Sequence, residues 1–215
     1  MSVAAVLLVF GACSSDSGPS PSSAGTNPPE TTTTTTPLPP PIWPLTGMVA
    51  DPGAILTVPA MAVKVDNTPQ ARPHVGINEA DQVYELQVES ITRFMEVFHS
   101  QTPETVGPVR SARSSDIDLM SNLNRPLFVW SGANPGVTRD IHTAADNGTL
   151  TDVGEGTPAA SEYFRNNRGK RDFEHTLFVH AATLRTNFTP PDAGPPPPMF
   201  SFRPADGAVP ATAVD

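Results

Sequence analysis

The spacing of apolar residues changes several times along the middle of the chain, and each change marks a predicted element. Met61-Ala62-Val63-Lys64-Val65-Asp66 alternates, with Met61, Val63 and Val65 on one face, which predicts a strand ended by Asn67-Thr68-Pro69. A second strand is predicted from about Val83 to Glu89, with Tyr84, Leu86 and Val88 on one side and Glu85, Gln87 and Glu89 on the other. A third, about Thr92 to His99, would pair with it as an antiparallel hairpin through Ser90-Ile91. Ile117, Met120 and Leu123 predict a helix from about Ser115 to Asn124, capped by Ser114 or Ser115. Leu127-Phe128-Val129-Trp130 is a continuous apolar run, the pattern of a strand buried on both faces. Gly136 to Asn147 reads as a helix closed by Gly148, and Ser161 to Asn167 as a short helix. Leu177-Phe178-Val179 predicts another buried strand, followed by a short helix near Ala181 to Arg185. Trp43, Leu45, Met48 and Val49 are expected to make the first contacts with the core. This mixture of periods predicts an α+β or α/β domain, with one central mixed sheet and covering helices.

Proline sets the limits of that domain. Of 26 prolines in 215 residues, nine fall between Pro19 and Pro44 and eight between Pro190 and Pro210. The 130 residues from 60 to 189 carry only seven. The flanks, rich in Ser, Thr and Pro, bury too little apolar area to offset the entropy of ordering them. The expected organisation is a signal segment over 1–12 and a disordered Ser/Thr/Pro linker over 13–46. A globular domain follows over 47–189, and residues 190–215 would be a second linker with the start of a truncated C-terminal domain. At about 3.1 Å per residue, the first linker could reach on the order of 100 Å.

Val3 to Phe10 is an apolar run of eight residues, too short for a bilayer span of about 20 residues but suited to the core of a secretory signal. Gly11 and Ala12 precede Cys13, the single cysteine. Small residues before a cysteine resemble a lipoprotein cleavage box, which implies cleavage before Cys13 and its lipidation. The expected partner is therefore a membrane, held through the lipid at Cys13, on the outer face of a bacterial cell membrane. No Lys or Arg precedes Lys64, so the expectation is a start upstream of Met1 or within a longer signal. A net charge of −9 argues against nucleic acid as a partner, because that surface selects basic proteins.

Several motifs carry a family likeness. They are Val63-Lys64-Val65-Asp66-Asn67, Arg72-Pro73, Gly76, Ala80-Asp81-Gln82-Val83-Tyr84-Glu85, Val88-Glu89, Thr92-Arg93-Phe94, Phe98 and Gly107-Pro108-Val109-Arg110-Ser111-Ala112-Arg113. Over roughly residues 45 to 190 the chain resembles the YerB-type family of bacterial lipoproteins, whose main domain has no known function. The resemblance implies a lipid-anchored envelope protein with a smaller C-terminal domain after the proline-rich segment. It brings no catalytic residues. Phe173-Glu174-His175-Thr176 departs from the Pro-His-Asn-like run expected there.

The candidate ligand-binding residues are Asp66, Asn67, Arg72, Glu85, Glu89, Arg93, Arg110, Ser111 and Arg113. Glu85 and Glu89 on one strand face would stand about 13 Å apart, wider than the ~5–9.5 Å of a glycosidase pair. Either glutamate could instead pair with Arg93 across the hairpin. Arg110 and Arg113, just before a helix, could hold the carboxylate or phosphate of a wall polymer or peptide. They could equally pair with Asp116, Asp118 or the strand glutamates. The cluster is thus a ligand site or a structural ion-pair network.

Nothing points to a cofactor or a resident metal. The five histidines lack close ligand spacing, and Gly154-Glu155-Gly156 lacks the rest of a phosphate loop. A Ca²⁺ near Asp66 and Glu85 stays open. The function expected is a binding or scaffold module for a cell-wall or envelope partner; the alternative is a wall-modifying enzyme built on the Glu/Arg cluster.

Overall fold

The computed structural model describes residues 40–167 and 172–201. The signal segment, Cys13, most of the first linker and residues 202–215 lie outside the described residues.

Among the described residues, eight strands and three α-helices follow in chain order: β1 (Met61–Asp66), β2 (Gln82–Val88), β3 (Ile91–Phe98), β4 (Thr105–Val106), α1 (Ser115–Met120), β5 (Leu127–Val129), α2 (Pro135–Asp146), β6 (Thr151–Asp152), β7 (Tyr163–Arg165), β8 (Leu177–His180) and α3 (Ala181–Phe188). The architecture is α+β, with a mixed sheet in the order β2-β3-β1-β5-β6. A second, antiparallel sheet, β4-β8-β7, adds to the single sheet expected.

β1 lies at the centre, antiparallel to β3 and parallel to β5. Ala62, Met95, Val97 and Phe128 pack on one side against Met120, Ile141 and Ala144 of α1 and α2. Met61, Val63, Val65 and Phe98 pack on the other side against Val106, Val179 and Leu184. All six residues of β1 are therefore buried. The alternation in its sequence marks two buried faces, not one face in and one out. Each large apolar side chain fully buried here contributes roughly 1.5–3 kcal/mol.

The β2–β3 hairpin forms as expected, with its two-residue turn one position earlier in the chain. Val88 pairs with Ile91, so Glu89 and Ser90 make the connection, and Glu89 takes a left-handed φ of 56°. Glu89 is thus a turn residue and shares no strand face with Glu85. α1 stops at Met120 rather than near Asn124, where Asn124 and Arg125 have positive φ values of 54° and 59° and cannot continue a right-handed helix. α2 begins at Pro135, its Val137 N–H bonded to the Asn134 side chain at 3.0 Å, and Gly148 supplies the left-handed exit at φ 75°. The helix expected over Ser161–Asn167 is instead a 3-10 turn, Pro158–Glu162, followed by β7. The run Tyr163-Phe164 favours a strand, and pairing with β8 extends it. Leu45 is buried, but Met48 and Val49 are exposed.

One close approach lies between these elements. The Trp130 indole donates to Asp152 at 2.8 Å and lies directly over Gly154. A Cβ there would fall 2.6 Å from Trp130 Nε1, whereas one at Gly156 would meet nothing within 4 Å. Gly154→Ala is expected to cost about 1–3 kcal/mol in urea unfolding. Gly156→Ala should stay within about 0.5 kcal/mol of the parent. Equal effects would contradict this packing.

Candidate functional site

The parallel strands β1 and β5 end side by side, and the segment after β4 crosses their carboxyl ends. The Arg110 N–H donates to Lys64 O at 2.9 Å, and the Ser131 N–H donates to Arg110 O at 3.0 Å. The Asp66 N–H donates to Pro108 O at 3.0 Å, and the Ala112 N–H donates to Gly132 O at 3.0 Å. These bonds fix Arg110 and Ser111 where ligands commonly seat, beyond the carboxyl ends of parallel strands.

Beneath them lies Asp66, the buried last residue of β1. Its Oδ1 accepts the Thr68 N–H at 2.9 Å. Its Oδ2 lies 2.7 Å from His175 Nδ1 and 3.1 Å from Arg110 Nε. The Arg110 contact is one of charge; Nε is not aligned for a hydrogen bond. Burial pushes the Asp66 carboxyl up, but the Thr68 N–H, His175 and Arg110 together outweigh it and hold its pKa below the ordinary value. Asp66 is therefore an ionised anchor that fixes one edge of Arg110.

The other edge of Arg110 faces outward. Nη1 donates to Glu174 O at 3.1 Å, and Nη2 to the Glu174 carboxylate at 3.4 Å. Arg110, Ser111, Ser131, Arg165, Phe173 and Glu174 line an open cleft of about 370 Å³. The Arg165 guanidinium sits 3.7 Å from the centre of the Phe173 ring. Arg165 Nη1 donates to Phe173 O at 2.9 Å, and its Nη2 is 3.8 Å from Glu155. The Ser131 hydroxyl is already engaged with the Glu155 carboxylate. Another cleft, of about 940 Å³, lies at Ser121 and Pro195–Met199 and is lined by no titratable side chain among the described residues.

The nine candidate residues fall into three groups. Asp66, Arg110 and Ser111 meet at the cleft. Asn67, Arg72 and Glu85 form a surface chain with Thr92: Asn67 Nδ2 donates to Thr92 Oγ1 at 2.8 Å and to Glu85 at 3.2 Å, while Arg72 donates to Asn67 at 3.1 Å. Glu89, Arg93 and Arg113 lie near the start of α1. Arg93 is buried and donates to Ser111 O at 2.9 Å. It pairs with neither glutamate, because it shares a sheet face with Asp66 and Leu86. Arg113 reaches Glu89 at 3.7 Å, across an exposed surface. The start of α1 offers no ready anion seat, since the Arg113 N–H is taken by the Asp116 carboxylate at 2.8 Å. Asp66 and Glu85 face different partners, so their carboxylates do not form a joint Ca²⁺ site.

Four residues at or beneath the cleft were not among the nine candidates. Arg165, Phe173, Glu174 and His175 come from chain more than 50 residues beyond Arg110. No local spacing marks them; only the β7–β8 pairing brings them near.

Residues 45–192 match the family described as a protein of unknown function (DUF3048), N-terminal domain. The chain belongs to the DUF3048 family. Within this DUF3048 domain, the chain is 43% identical over 103 residues to the protein named "Putative lipoprotein YerB" of Bacillus subtilis (strain 168). That match covers 47% of this chain and 30% of the relative. The crystal structure of YerB from Bacillus subtilis superposes with a TM-score of 0.57 at 28% identity, covering 72% of this chain and 53% of that one. The chain thus spans about half or less of the relatives it matches. The likeness supports the DUF3048 fold and an envelope-lipoprotein kinship, and it assigns no activity.

Proposed function

We propose that this DUF3048 chain is a lipid-anchored binding module of the bacterial cell envelope. Cys13 tethers it to the outer face of the membrane, the proline-rich segment spaces it away, and the Arg110 cleft binds an anionic group of a cell-wall or envelope partner. The observation that carries the reading is the two-edged placement of Arg110. A buried carboxylate holds one edge, while the other faces a cleft that holds a second arginine. An arginine fixed in this way gives up little side-chain entropy on binding a carboxylate or phosphate. The wall-modifying enzyme is less well supported, because Glu85 and Glu89 stand in separate networks rather than flanking one cleft.

Two measurements on the full-length protein test this. Cys13→Ser should move the protein from the membrane to the soluble fraction; retention in the membrane rejects the anchor. Arg110→Gln should weaken co-sedimentation with purified wall fragments about tenfold or more, the size expected for losing a charged hydrogen bond. Cooperative melting of the variant would show that the domain still folds. Unchanged sedimentation rejects the cleft as the binding face.

A further inference from the structure

The groups around Arg110 are unequal in strength. Its contact with buried Asp66 is part of the fold. Its contact with Glu174 is long, at 3.4 Å, and the Glu174 side chain is 72% exposed. Exposed pairs of this kind contribute little to stability. Arg165 has a similarly loose carboxylate neighbour, with Nη2 3.8 Å from Glu155. The cleft therefore holds two guanidinium groups whose Nη2 atoms have only long carboxylate contacts, at 3.4 and 3.8 Å. The Ser111 hydroxyl has no hydrogen-bond partner among the described residues and lines the same cleft. Phe173 is 70% exposed, with Arg165 against its ring.

We propose that Glu174 is a self-ligand. Its carboxylate rests on Arg110 Nη2 and is displaced by the free C-terminal carboxylate of a short envelope peptide, which Arg110, Arg165 and the Ser111 hydroxyl then hold while the exposed Phe173 ring takes the adjoining apolar side chain. This rests on the cleft being the binding face, and it adds the ligand class and a built-in competitor. A carboxylate is favoured because the site already accommodates one. The peptide end is favoured because an apolar ring borders the charged seat. No bond is made or broken; one carboxylate replaces another on the same donors.

The test is a calorimetric titration of the full-length protein with N-acetyl-alanyl-alanine, beside the same peptide as its C-terminal amide and beside inorganic phosphate. The acid should bind the parent. It should bind Glu174→Gln about fivefold tighter, the size expected when a weak exposed competitor is removed. Arg165→Gln, which leaves buried Asp66 and Arg110 untouched, should weaken the acid while the domain still melts cooperatively. The amide should bind none of the three. Parent binding with Glu174→Gln equal or weaker overturns the self-ligand and leaves the cleft standing. Saturation by neither protein overturns both. Phosphate binding tighter than the acid overturns the peptide carboxylate as ligand.

Discussion

Lys64→Met is expected to destabilise the domain by about 3–5 kcal/mol in urea unfolding near neutral pH. Lys64 is a fully buried side chain in the middle of the central strand. Its Nζ lies 2.7 Å from Asp116 Oδ1, and neither side chain is exposed to solvent. Burial lowers the Lys64 pKa, and Asp116 works against that shift. Methionine fills much of the same volume, so the loss measures the charge left behind rather than a cavity. Asp116 would then be buried without its counterion, keeping only the Arg113 N–H. Lys64→Met combined with Asp116→Asn removes both charges and keeps an acceptor for that N–H. The double variant should recover at least about 2 kcal/mol of the loss. A single variant within about 1 kcal/mol of the parent would mean that the pair is solvated, contrary to this packing.

Glu96 should make the protein more stable in mild acid than in mild alkali. It is fully buried in β3, and neither carboxylate oxygen has a hydrogen-bond partner among the described residues. Burial, helped by the nearby Glu79 charge, pushes its pKa up from 4.5 to about 8. The sign follows from linkage. Between these two values the unfolded chain loses this proton while the folded chain keeps it, so raising the pH favours unfolding. The contribution declines from about pH 4.5 and levels off above about pH 8, where the folded group ionises too. The full span amounts to roughly 3–5 kcal/mol. Glu96→Gln removes the titration, so it should flatten the stability profile between pH 5 and 9 and exceed the parent at pH 9. A parent and variant that change in parallel with pH would refute the assignment.

These two residues show where sequence alone fell short. The β2–β3 hairpin was legible because β2 alternates between exposed and more buried positions, and the two strands are adjacent in the chain. β1 was legible as a strand, but Lys64 looked like an outward polar position. Alternation cannot distinguish a solvated lysine from one paired with an aspartate 52 residues away. Glu96 was hidden in the same way inside β3. β7 was missed because three residues carry little periodicity and depend on β8 for their conformation. At the cleft, Arg110 and Ser111 could be read from a local motif, whereas the aromatic and acidic wall opposite them arrives from a distant part of the chain.

The bond between Asp66 and His175 joins positions 109 residues apart, and it lies directly beneath Arg110. Closing so large a loop is slow and entropically unfavourable until the intervening contacts exist. Half of the cleft thus comes from early chain and half from late chain. A chain still emerging from its synthesis has no such cleft. The cleft is thereby confined in time to the finished domain.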